Sequence, residues 1–549
     1  MDTSLCGRTE VTIHRQPSLD IGTDPVLLLD EDVVAETRAC HQTFYGAIKD
    51  PASPIIAASE PWEGRGPYTW GTRLLWNPEA HHYDLWYVGF RVEDNHYRWG
   101  LAVSADGLTW MKPDLGLETF QGQPARNMLT GGPHPEKAAR SVVRDPRPDC
   151  PPAQRYKGIR FTYDGEFISY SPDGRRWTEE RANPVWRVPS DIIHAMWDPQ
   201  RHRFVAYFKV WEVTGETPDP SHPTGFRPVV AHFPSFDHHL HADGLTALRG
   251  PRIHFHPEAK AEVEDVVLVL RTGHQGPDDG GGAPLTGAWH ARRVQAWAES
   301  EDWRHWRHEQ VVLRTDERDR PDANIQYLFV LSYGHYYLGV LTMHDERGHF
   351  EQQFAFSRDG LTWSRPWRGN FLGLGPPGAF DSGMVLAPTD PILAETQMLF
   401  YYGGFDTVHH APMTRPWSAA IGRAVLRRDG FASWDSDPGR SGTVVTQPVT
   451  TTGHALWINA DAGVGRVRVE VLDDEGHVIP GFEGRHCQPL TEDTARFRHC
   501  LAPIQWRPDA YLAGLAGHPI RLRFQLENAR LFAFRFLASS SLCKERGAV

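Results

Sequence analysis

Three aspartates stand just before the first strand of three consecutive repeats and are the residues best suited to acid-base chemistry. They are Asp191, Asp322 and Asp381. Carboxylates that converge from neighbouring elements can supply the acid and the base or nucleophile that a hydrolysis reaction requires. The sequence therefore predicts these three as catalytic residues, with the roles of acid, of base or nucleophile, and of stabiliser left open. The alternative is that each caps a strand or orders a loop, as aspartate often does.

Seven further side chains near the strand starts are predicted to bind a substrate. They combine an aromatic ring that can stack on apolar sugar faces, guanidinium groups that can bind hydroxyls or a carboxylate, and an amide and imidazoles. They are Trp70, Arg73, Arg140, His194, Gln326, His344 and His409. The alternatives are packing between elements for the tryptophan and a salt bridge near the molecular axis for each arginine.

Histidines raise the alternative of a metal site. Asp237, His239 and His241 share one face of an extended segment, and three such ligands suit zinc, although a solvated polar hairpin is the preferred interpretation. A second set could bind substrate or a central divalent cation: His194, His344, His409 and His410. No cofactor is predicted, and a central cation stays open as a possibility.

The elements that position these residues are indicated by an internal repeat. The pattern Ser-x-Asp-Gly-x-x-Trp occurs at Ser104 to Trp110, Ser171 to Trp177 and Ser357 to Trp363. Weaker copies run from Ser300 to Trp306 and from Arg427 to Trp434. An Asp-Gly pair makes a tight turn, and the tryptophan can pack the turn back onto a sheet. Alternating strands precede each copy, so five units of at least three strands each are predicted.

The spacing of the terminal tryptophans predicts a five-bladed β-propeller over residues 61–434. Three spacings of 57–71 residues suit four-stranded blades with generous loops. One spacing is 129 residues, which indicates either a hidden sixth blade or, preferably, an insertion at about 213–288. Before the propeller, residues 1–60 are expected to form a wrap and a closing strand.

The repeat stops after Trp434, and a different pattern follows. Residues 435–442 are rich in Asp, Ser, Pro and Gly and predict a linker. Short alternating strands over residues 443–537 predict a β-sandwich, and residues 538–549 predict a tail. The fold class expected is therefore all-β, a five-bladed propeller followed by a C-terminal β-sandwich.

The composition of the chain limits the classes of partner that it can bind. The chain has 549 residues and a net charge of −12, which disfavours nucleic acid because phosphate binding needs a basic field. No apolar run is long enough to cross a membrane. The N-terminal residues show no signal-peptide pattern, and the six cysteines lack paired spacing. A cytoplasmic protein that binds neither nucleic acid nor a membrane is expected, and the oligomeric state is left unassigned.

The repeats and four stretches resemble the five-bladed propeller glycoside hydrolases of families 32 and 43, and more closely a large group of bacterial glycosyl hydrolase-like proteins. The stretches are Trp99 to Gly107, His194 to Pro199, Phe380 to Met384 and Tyr401 to Gly404. The resemblance implies a propeller and a glycosidase. Arg144-Asp145-Pro146 matches a family 32 triplet that holds a catalytic aspartate, but Asn77-Pro78 and Asp198-Pro199 stand in the same register. A repeated turn is therefore the preferred interpretation of Asp145. The nucleophile and acid motifs of family 32 are absent.

Several functions follow from these observations. The first is hydrolysis of a glycosidic bond in a small glycoside or oligosaccharide by carboxylates in the propeller funnel. A glycoside phosphorylase on the same scaffold is a close variant. The second is a carbohydrate-binding protein without catalysis, which the missing family 32 motifs favour. The third is a metal-dependent hydrolase or lyase.

Overall fold

The structure is a computed structural model with an all-β architecture, as the sequence predicts. It describes residues 18–93, 96–129, 141–162, 165–186, 190, 192–218, 221, 223, 226–233, 237–240, 245–251, 265–271, 290–345, 347–409, 411, 416–491, 500–508, 510 and 512–537. In these residues the helical elements are four 3₁₀ turns: Pro61–Glu63, Pro152–Gln154, Gly484–His486 and Leu512–Leu515. The many glycines and prolines suit this, because both disfavour long helices.

Two compact units make up the chain. Residues 46–426 form one unit, and residues up to 45 together with those from 427 onward form the other. The first unit is the propeller and the second is the β-sandwich.

The propeller consists of five antiparallel blades, each counted from its inner strand outward. In the first, second and fourth blades consecutive strands along the chain supply the sheet, whereas in the third an inserted segment separates the second strand from the third. The first blade contains Pro67–Tyr68 and Leu74–Asn77 as an interrupted inner strand, then His82–Arg91 and His96–Ser104. A hairpin of Glu118–Phe120 and Gln123–Ala125 follows it. The second blade contains Ser141–Arg144, Tyr156–Thr162, Gly165–Ser171 and Thr178–Glu179. The third contains Ile193–Asp198, Arg203–Pro218, His290–Ser300 and Trp306–Leu313.

The remaining two blades are joined by one parallel bridge between Phe350 and Met384. The fourth blade contains Asn324–Tyr333, Tyr336–His344, Phe350–Ser357, Trp363–Ser364 and Asn370–Leu372. In the fifth blade Met384–Val385 and Ile392–Leu393 both pair with the second strand, Gln397–Phe405. Ala419–Arg427 follows, and Ile48–Lys49 is the outermost strand. A short strand near the start of the described chain thus pairs with the last strand of the ring, at Ala424 and Val425.

The long spacing between tryptophans corresponds to strands that leave and return within the third blade. Its second and third strands pair directly from Phe204↔Ser300 to Thr214↔His290. In the sequence between these two strands, Phe226–Phe233 pairs with the C-terminal half of Arg203–Pro218. Three further strands form a separate antiparallel sheet: Asp237–Leu240, Leu245–Pro251 and Asp265–Arg271. The side chains of the histidine-rich segment around His239, His241 and His256 lie outside the described residues.

The sandwich packs two six-stranded sheets around one apolar core. One sheet contains Leu19–Asp20, Val34–Arg38, Ser441–Thr446, Val449–Thr450, Arg466–Asp473 and Ile520–Glu527. The other contains Val26–Leu27, Cys40–Phe44, Ala432–Ser436, Ala455–Asp461, Leu501–Pro503 and Arg530–Leu537. The core between them includes Leu456, Val469, Phe524 and Phe534.

The unit boundaries differ from those that the sequence indicates. Residues 18–45 were expected to wrap the propeller, but they supply four strands to the sandwich sheets. The last motif copy, which ends at Trp434, lies in a sandwich strand, where the indole Nε1 donates to the carbonyl of Leu28 at 3.1 Å. The propeller therefore ends near Leu426 instead of at Trp434. A local repeat cannot show this, because the strands that pair with residues 432–436 are far away in the sequence.

The other four motif copies form the same turn in four successive blades. In each, the serine hydroxyl accepts the amide of the fourth motif residue at 2.8–2.9 Å, and the aspartate Oδ1 accepts the next two amides at 2.7–3.0 Å. The fourth residue has a φ near 70° in every copy. It is glycine in three copies and Trp303 in the other. Glycine suits this left-handed region, so Trp303 needs a compensating interaction.

Each of these turns contacts the second strand of the preceding blade. The carbonyl oxygens of Gly174 and Gly360 accept hydrogen bonds from the Trp86 indole at 3.0 Å and the Tyr207 hydroxyl at 3.0 Å. The Tyr401 hydroxyl donates to the carbonyl of Gly107 in the same way. A side chain on these glycines would collide with the aromatic residue, since a Cβ would lie 2.7–2.9 Å from one of its atoms.

The turn at Trp303 inverts this arrangement. Here the strand position holds Gly158, and the Trp303 indole comes from the turn and donates to the Gly158 carbonyl at 3.4 Å. Trp303 is fully buried. In the other three contacts the strand carries the large residue and the turn carries glycine. Here the turn carries the large residue and the strand carries glycine, so the volume between the blades is still filled.

Exchanging these two residues tests the volume argument. Trp303→Gly should lower the free energy of unfolding by about 3 kcal/mol, because a fully buried indole is lost, and Gly158→Trp should also destabilise through overpacking. The double variant Gly158→Trp/Trp303→Gly should be more stable than either single variant, as measured by urea unfolding. Additive losses would contradict this.

The turn aspartates also make a testable contribution to acid stability. Burial raises the pKa of Asp302, but the amide and imidazole of His305 and the amide of Arg304 outweigh it and lower the pKa to about 2. A carboxyl with a lowered folded-state pKa stabilises the fold above its ordinary value of 3.8 and loses that effect as the pH falls towards 2. Asp302→Asn should therefore be less stable than the wild type at pH 6, and the gap should close between about pH 4 and pH 2. A gap that is constant with pH would contradict the assignment.

Candidate functional site

The interruption of the first inner strand shapes the centre of the propeller. Residues 69–73 separate Pro67–Tyr68 from Leu74–Asn77, and Gly71 turns the chain with a φ of 68°. This places Trp70 and Gly71 beside a central cavity. Two residues on, the buried Arg73 side chain crosses to the fifth blade, where Nε and Nη2 bind the Asp390 carboxylate at 2.5 and 2.7 Å.

The Arg73 guanidinium also joins the third blade, because Nη1 donates to the carbonyl oxygen of Ala195. One side chain therefore connects three blades across the axis. The sequence left two options for Arg73, substrate binding and a salt bridge near the axis, and its contacts in the structure are those of the salt bridge. Asp390 had not been singled out, and no local pattern marks it because its partner is 317 residues away.

His194 is beside this axial ion pair and is completely buried. Its Nε2 donates to the carbonyl oxygen of Val330 at 2.8 Å, and its Nδ1 accepts from the Tyr327 hydroxyl at 3.3 Å. Both ring nitrogens are used by a neutral imidazole. Burial, and secondarily the positive charge of Arg73, holds the pKa of His194 well below its ordinary value. In the structure His194 braces the inner strands.

The central cavity itself is small and mostly apolar. It is lined by residues of the first, third, fourth and fifth blades: Trp70, Gly71, Ile192, Gln326, Tyr327, Thr342, Phe350, Leu386 and Ala387. Its volume is about 10 Å³, which is room for about one water molecule or hydroxyl group. Trp70 and Gln326, both predicted to bind substrate, are thus brought together.

Gln326 is a polar residue of this lining whose side chain contains an unpaired hydrogen-bond acceptor. It lies at a bulge where the pairing shifts between Ile325 and Tyr327. The residue is 3% exposed, and its Oε1 has no hydrogen-bond partner in the described part of the chain. A buried acceptor without a donor is rare and costly, which makes this amide a candidate ligand-binding group.

A second group of side chains lies at the end of the ring where the inner strands begin; we call it the mouth cluster. It consists of Trp211, Arg293, His344, Phe350 and His409. Arg293 Nη1 lies 2.6 Å from His344 Nδ1, and its guanidinium lies 4.5 Å from the Trp211 ring centre. Because arginine only donates, His344 Nδ1 accepts and its proton is on Nε2.

The mouth cluster is continuous with the cavity. The His344 and His409 rings are 5.2 Å apart, and both contact Phe350, which also lines the cavity. The predicted pair of His344 and His409 is therefore brought together next to Gln326. Arg293 had not been singled out, because it stands at the end of the inserted segment, where no motif marks it.

The predicted carboxylates take different positions. Asp322 is half-buried, and its oxygens accept from Arg320 Nε and Nη2 at 3.1 Å. Asp381 is buried, and its Oδ2 accepts from Lys49 Nζ at 2.5 Å and the Tyr402 hydroxyl at 2.8 Å. Neither lines the central cavity. Asp191, Arg140 and His410 lie outside the described residues, so their roles stay predictions.

The environment of Asp381 is that of a buried ion pair. Lys49 comes from the outermost strand of the fifth blade and Tyr402 from its second strand, so the carboxylate lies over the face of that blade. Burial and the negative charge of Asp381 raise the pKa of Tyr402, which keeps its proton as the donor. Asp381 can lie this close to the second strand because residue 404 is glycine: a Cβ at Gly404 would be 2.6 Å from the Cβ of Asp381.

Asp145 is a turn residue, in agreement with the interpretation of the sequence. Its carboxylate is completely buried and binds Arg147 Nη2 at 2.7 Å and Lys157 Nζ at 3.0 Å. Burial alone would raise the pKa of Asp145, but hydrogen bonds from Arg147 and Lys157 lower it. Asp198 accepts the amide of Gln200, and Asn77 accepts that of Ala80, in the corresponding turns.

Two negative findings concern the described residues alone. No group of three or more His, Cys, Asp or Glu side chains is placed there to hold a metal ion. Nor does any helix among them have the length and apolar character to span a membrane.

No protein-family model matches the chain, and no curated protein matches it in sequence. Solved structures do match in fold. A glycoside hydrolase is 10% identical, with a TM-score of 0.38 over 69% of this chain and 92% of its own. An exo-β-1,3-galactanase from Phanerochaete chrysosporium, in complex with β-1,3-galactotriose, is 9% identical, with a TM-score of 0.32 over 90% and 99%. An α-L-arabinofuranosidase from Podospora anserina, in complex with cellotriose, is 10% identical, with a TM-score of 0.33 over 74% and 98%.

The ion pair of Asp381 predicts a stability effect. Asp381→Asn leaves the Lys49 ammonium without its counter-charge and should lower the free energy of unfolding by about 2 kcal/mol, since Lys49 is partly exposed. Lys49→Met/Asp381→Asn should recover much of that loss, because removing both charges is less costly than removing one. Urea unfolding of the three proteins measures this. Equal stability of Asp381→Asn and wild type would contradict a structural role for the pair.

Proposed function

We propose that this protein is a carbohydrate-active enzyme that hydrolyses the glycosidic bond of a small glycoside, with the sugar bound where the mouth cluster meets the central cavity. The observation that carries the proposal is the Gln326 amide, which is buried in the cavity lining beside Trp70 with an unmet acceptor. Sugars offer hydroxyl donors on an apolar ring, and an aromatic surface beside a buried polar group suits both features.

The mouth cluster supplies complementary groups. Arg293 and the Nε2–H of His344 are donors, and Trp211, Phe350 and His409 provide flat aromatic surface beside them. A site with few charges and several aromatic rings favours a neutral, polyhydroxylated ligand over a nucleotide or a polyanion. The chain's net charge of −12 favours the same choice.

Chemistry at this site requires two carboxylates. We assign the acid and base to the predicted residues Asp191 and Asp322. In the sequence, Asp191 comes two residues before the inner strand of the third blade, Ile193–Asp198. Asp322 is four residues before Gln326 and two before the strand Asn324–Tyr333. Which of the two acts as acid is left open.

Hydrolysis of aryl glycosides and disaccharides tests the proposal. On a substrate found in such a screen, Asp322→Asn should lower kcat by about 100-fold or more, the contribution of an acid or base catalyst. Asp345→Asn is the matched control, since Asp345 also lies beside Arg320, at 3.8 Å, but its Oδ1 accepts the amide of His349 at 2.8 Å and it is not a predicted catalytic residue. Asp345→Asn should keep kcat within about twofold of the wild type. Equal kcat for all three proteins would contradict the assignment. Parallel assays with phosphate and with a chelator distinguish phosphorolysis and metal dependence.

A second candidate is a carbohydrate-binding protein without catalysis. It is favoured by the absence of a carboxylate from the described lining of the cavity and by the engagement of Asp381 with Lys49 and Tyr402. Sugar binding without turnover of any screened glycoside would select this function over the first.

A further inference from the structure

The hydrogen bonds around the central cavity leave one acceptor for a ligand. The Thr342 hydroxyl donates to Gln352 Oε1 at 3.0 Å, and Gln352 Nε2 donates to the carbonyl of Val385 at 2.5 Å. The Tyr327 hydroxyl pairs with His194 Nδ1 at 3.3 Å. The donors that could have served Gln326 Oε1 from the fourth blade are therefore used by other acceptors, and Oε1 has no partner in the described structure.

The rest of the lining restricts what can reach this oxygen. Ile192, Phe350, Leu386 and Ala387 are apolar, and the cavity of about 10 Å³ admits one small group. Oε1 accepts and does not donate, so a carboxylate or phosphate oxygen would meet an acceptor in an apolar wall. A hydroxyl group has both the size and the proton that the site needs.

We propose that Gln326 is a specificity-determining residue, and that the cavity takes a single free hydroxyl group of the sugar, which donates its proton to Gln326 Oε1. The inference rests on the proposed function in that the ligand is a sugar. It adds which sugars the site accepts. Sugars whose corresponding hydroxyl is missing, methylated, acylated or replaced by a carboxylate are rejected, because Oε1 is then left unpaired or the cavity is overfilled.

One test needs no ligand. Gln326→Met replaces the amide by an apolar side chain of similar volume and removes an unpaired buried acceptor, so Tm should rise by about 1 °C or more. Gln352→Met is the matched control. Gln352 is also buried and does not line the cavity, but both ends of its amide are bonded: Oε1 accepts from the Thr342 hydroxyl at 3.0 Å and Nε2 donates to the carbonyl of Val385 at 2.5 Å. This control should lower Tm. A fall for Gln326→Met as large as for the control would show that Oε1 is already bonded, and would overturn the inference.

The second test measures selection by calorimetry. Methyl glycosides of glucose, galactose, mannose, xylose and arabinose are titrated into the wild-type protein. For each sugar that binds, the monodeoxy and mono-O-methyl derivatives at every position follow. At one hydroxyl position of the sugar, the deoxy and the O-methyl derivative should both bind the wild-type protein about tenfold or more weakly than the parent sugar does. Gln326→Met should bind the parent sugar more weakly than the wild type by a similar factor. Gln295→Met should bind the parent sugar as the wild type does, because Gln295 also has a buried Oε1 without a partner in the described residues but does not line the cavity.

The outcomes separate this inference from the proposed function. If a parent sugar binds but every derivative binds as well, or Gln326→Met binds unchanged, the inference is wrong and the proposed function stands. If no parent sugar binds and no glycoside is turned over, the proposed function is wrong, and the inference is overturned with it.

Discussion

The contact between blades that each Ser-x-Asp turn makes is the interaction on which the rest of this propeller depends. Three of the turns present a backbone carbonyl to the second strand of the preceding blade, where a buried indole or phenol hydroxyl binds it, and in the fourth the Trp303 indole donates to a carbonyl of that strand. The carboxylate of the turn satisfies two amides at the same time, so the exposed end of the blade keeps a fixed shape. Four repeats of this contact set the spacing between blades. The fifth repeat instead lies in the sandwich unit, and the N-terminal strand Ile48–Lys49 completes the fifth blade.

The fixed spacing has consequences at the axis. The inner strands come close enough for Arg73 to bind both Asp390 and the carbonyl of Ala195, and for His194 to bind a carbonyl of the next blade. These contacts fill the ring at that depth. What is left open is the small cavity between Trp70 and Gln326, bordered by the mouth cluster. In the function that we propose, a ligand inserts one group into this cavity and stacks the rest of its surface at the mouth cluster.

Local chemistry explains which parts of the structure the sequence predicts well. The Asp-Gly turns and the alternating strands are encoded within about seven residues, so the all-β propeller and the sandwich could be predicted from spacing alone. Asp145 could also be recognised as a turn residue, because its register repeats at Asn77 and Asp198. The end of the propeller could not be placed, since Trp434 has the right local pattern but pairs with the N-terminal strand Cys40–Phe44.

The site was harder to predict, because its side chains are defined by partners far away in the sequence. Asp381 stands at a strand start like a catalytic residue, yet Lys49, 332 residues earlier, occupies its carboxylate. Arg73 and Asp390 are separated by 317 residues and Arg293 and His344 by 51. Position relative to an inner strand predicted Trp70, Gln326, His344 and His409 as site residues, and the structure places the first two in the cavity lining and the other two against Phe350. It could not show which of the polar groups were already bonded to one another.

The central claim is that a sugar binds at the mouth of the axial cavity, against Trp70 and Gln326. A crystal structure of the protein grown with a bound oligosaccharide tests it most directly. The account predicts one sugar ring beside Trp70, with a hydroxyl oxygen within about 3 Å of Gln326 Oε1. An ordered sugar bound elsewhere, with the Gln326 cavity empty or filled by water, would contradict it.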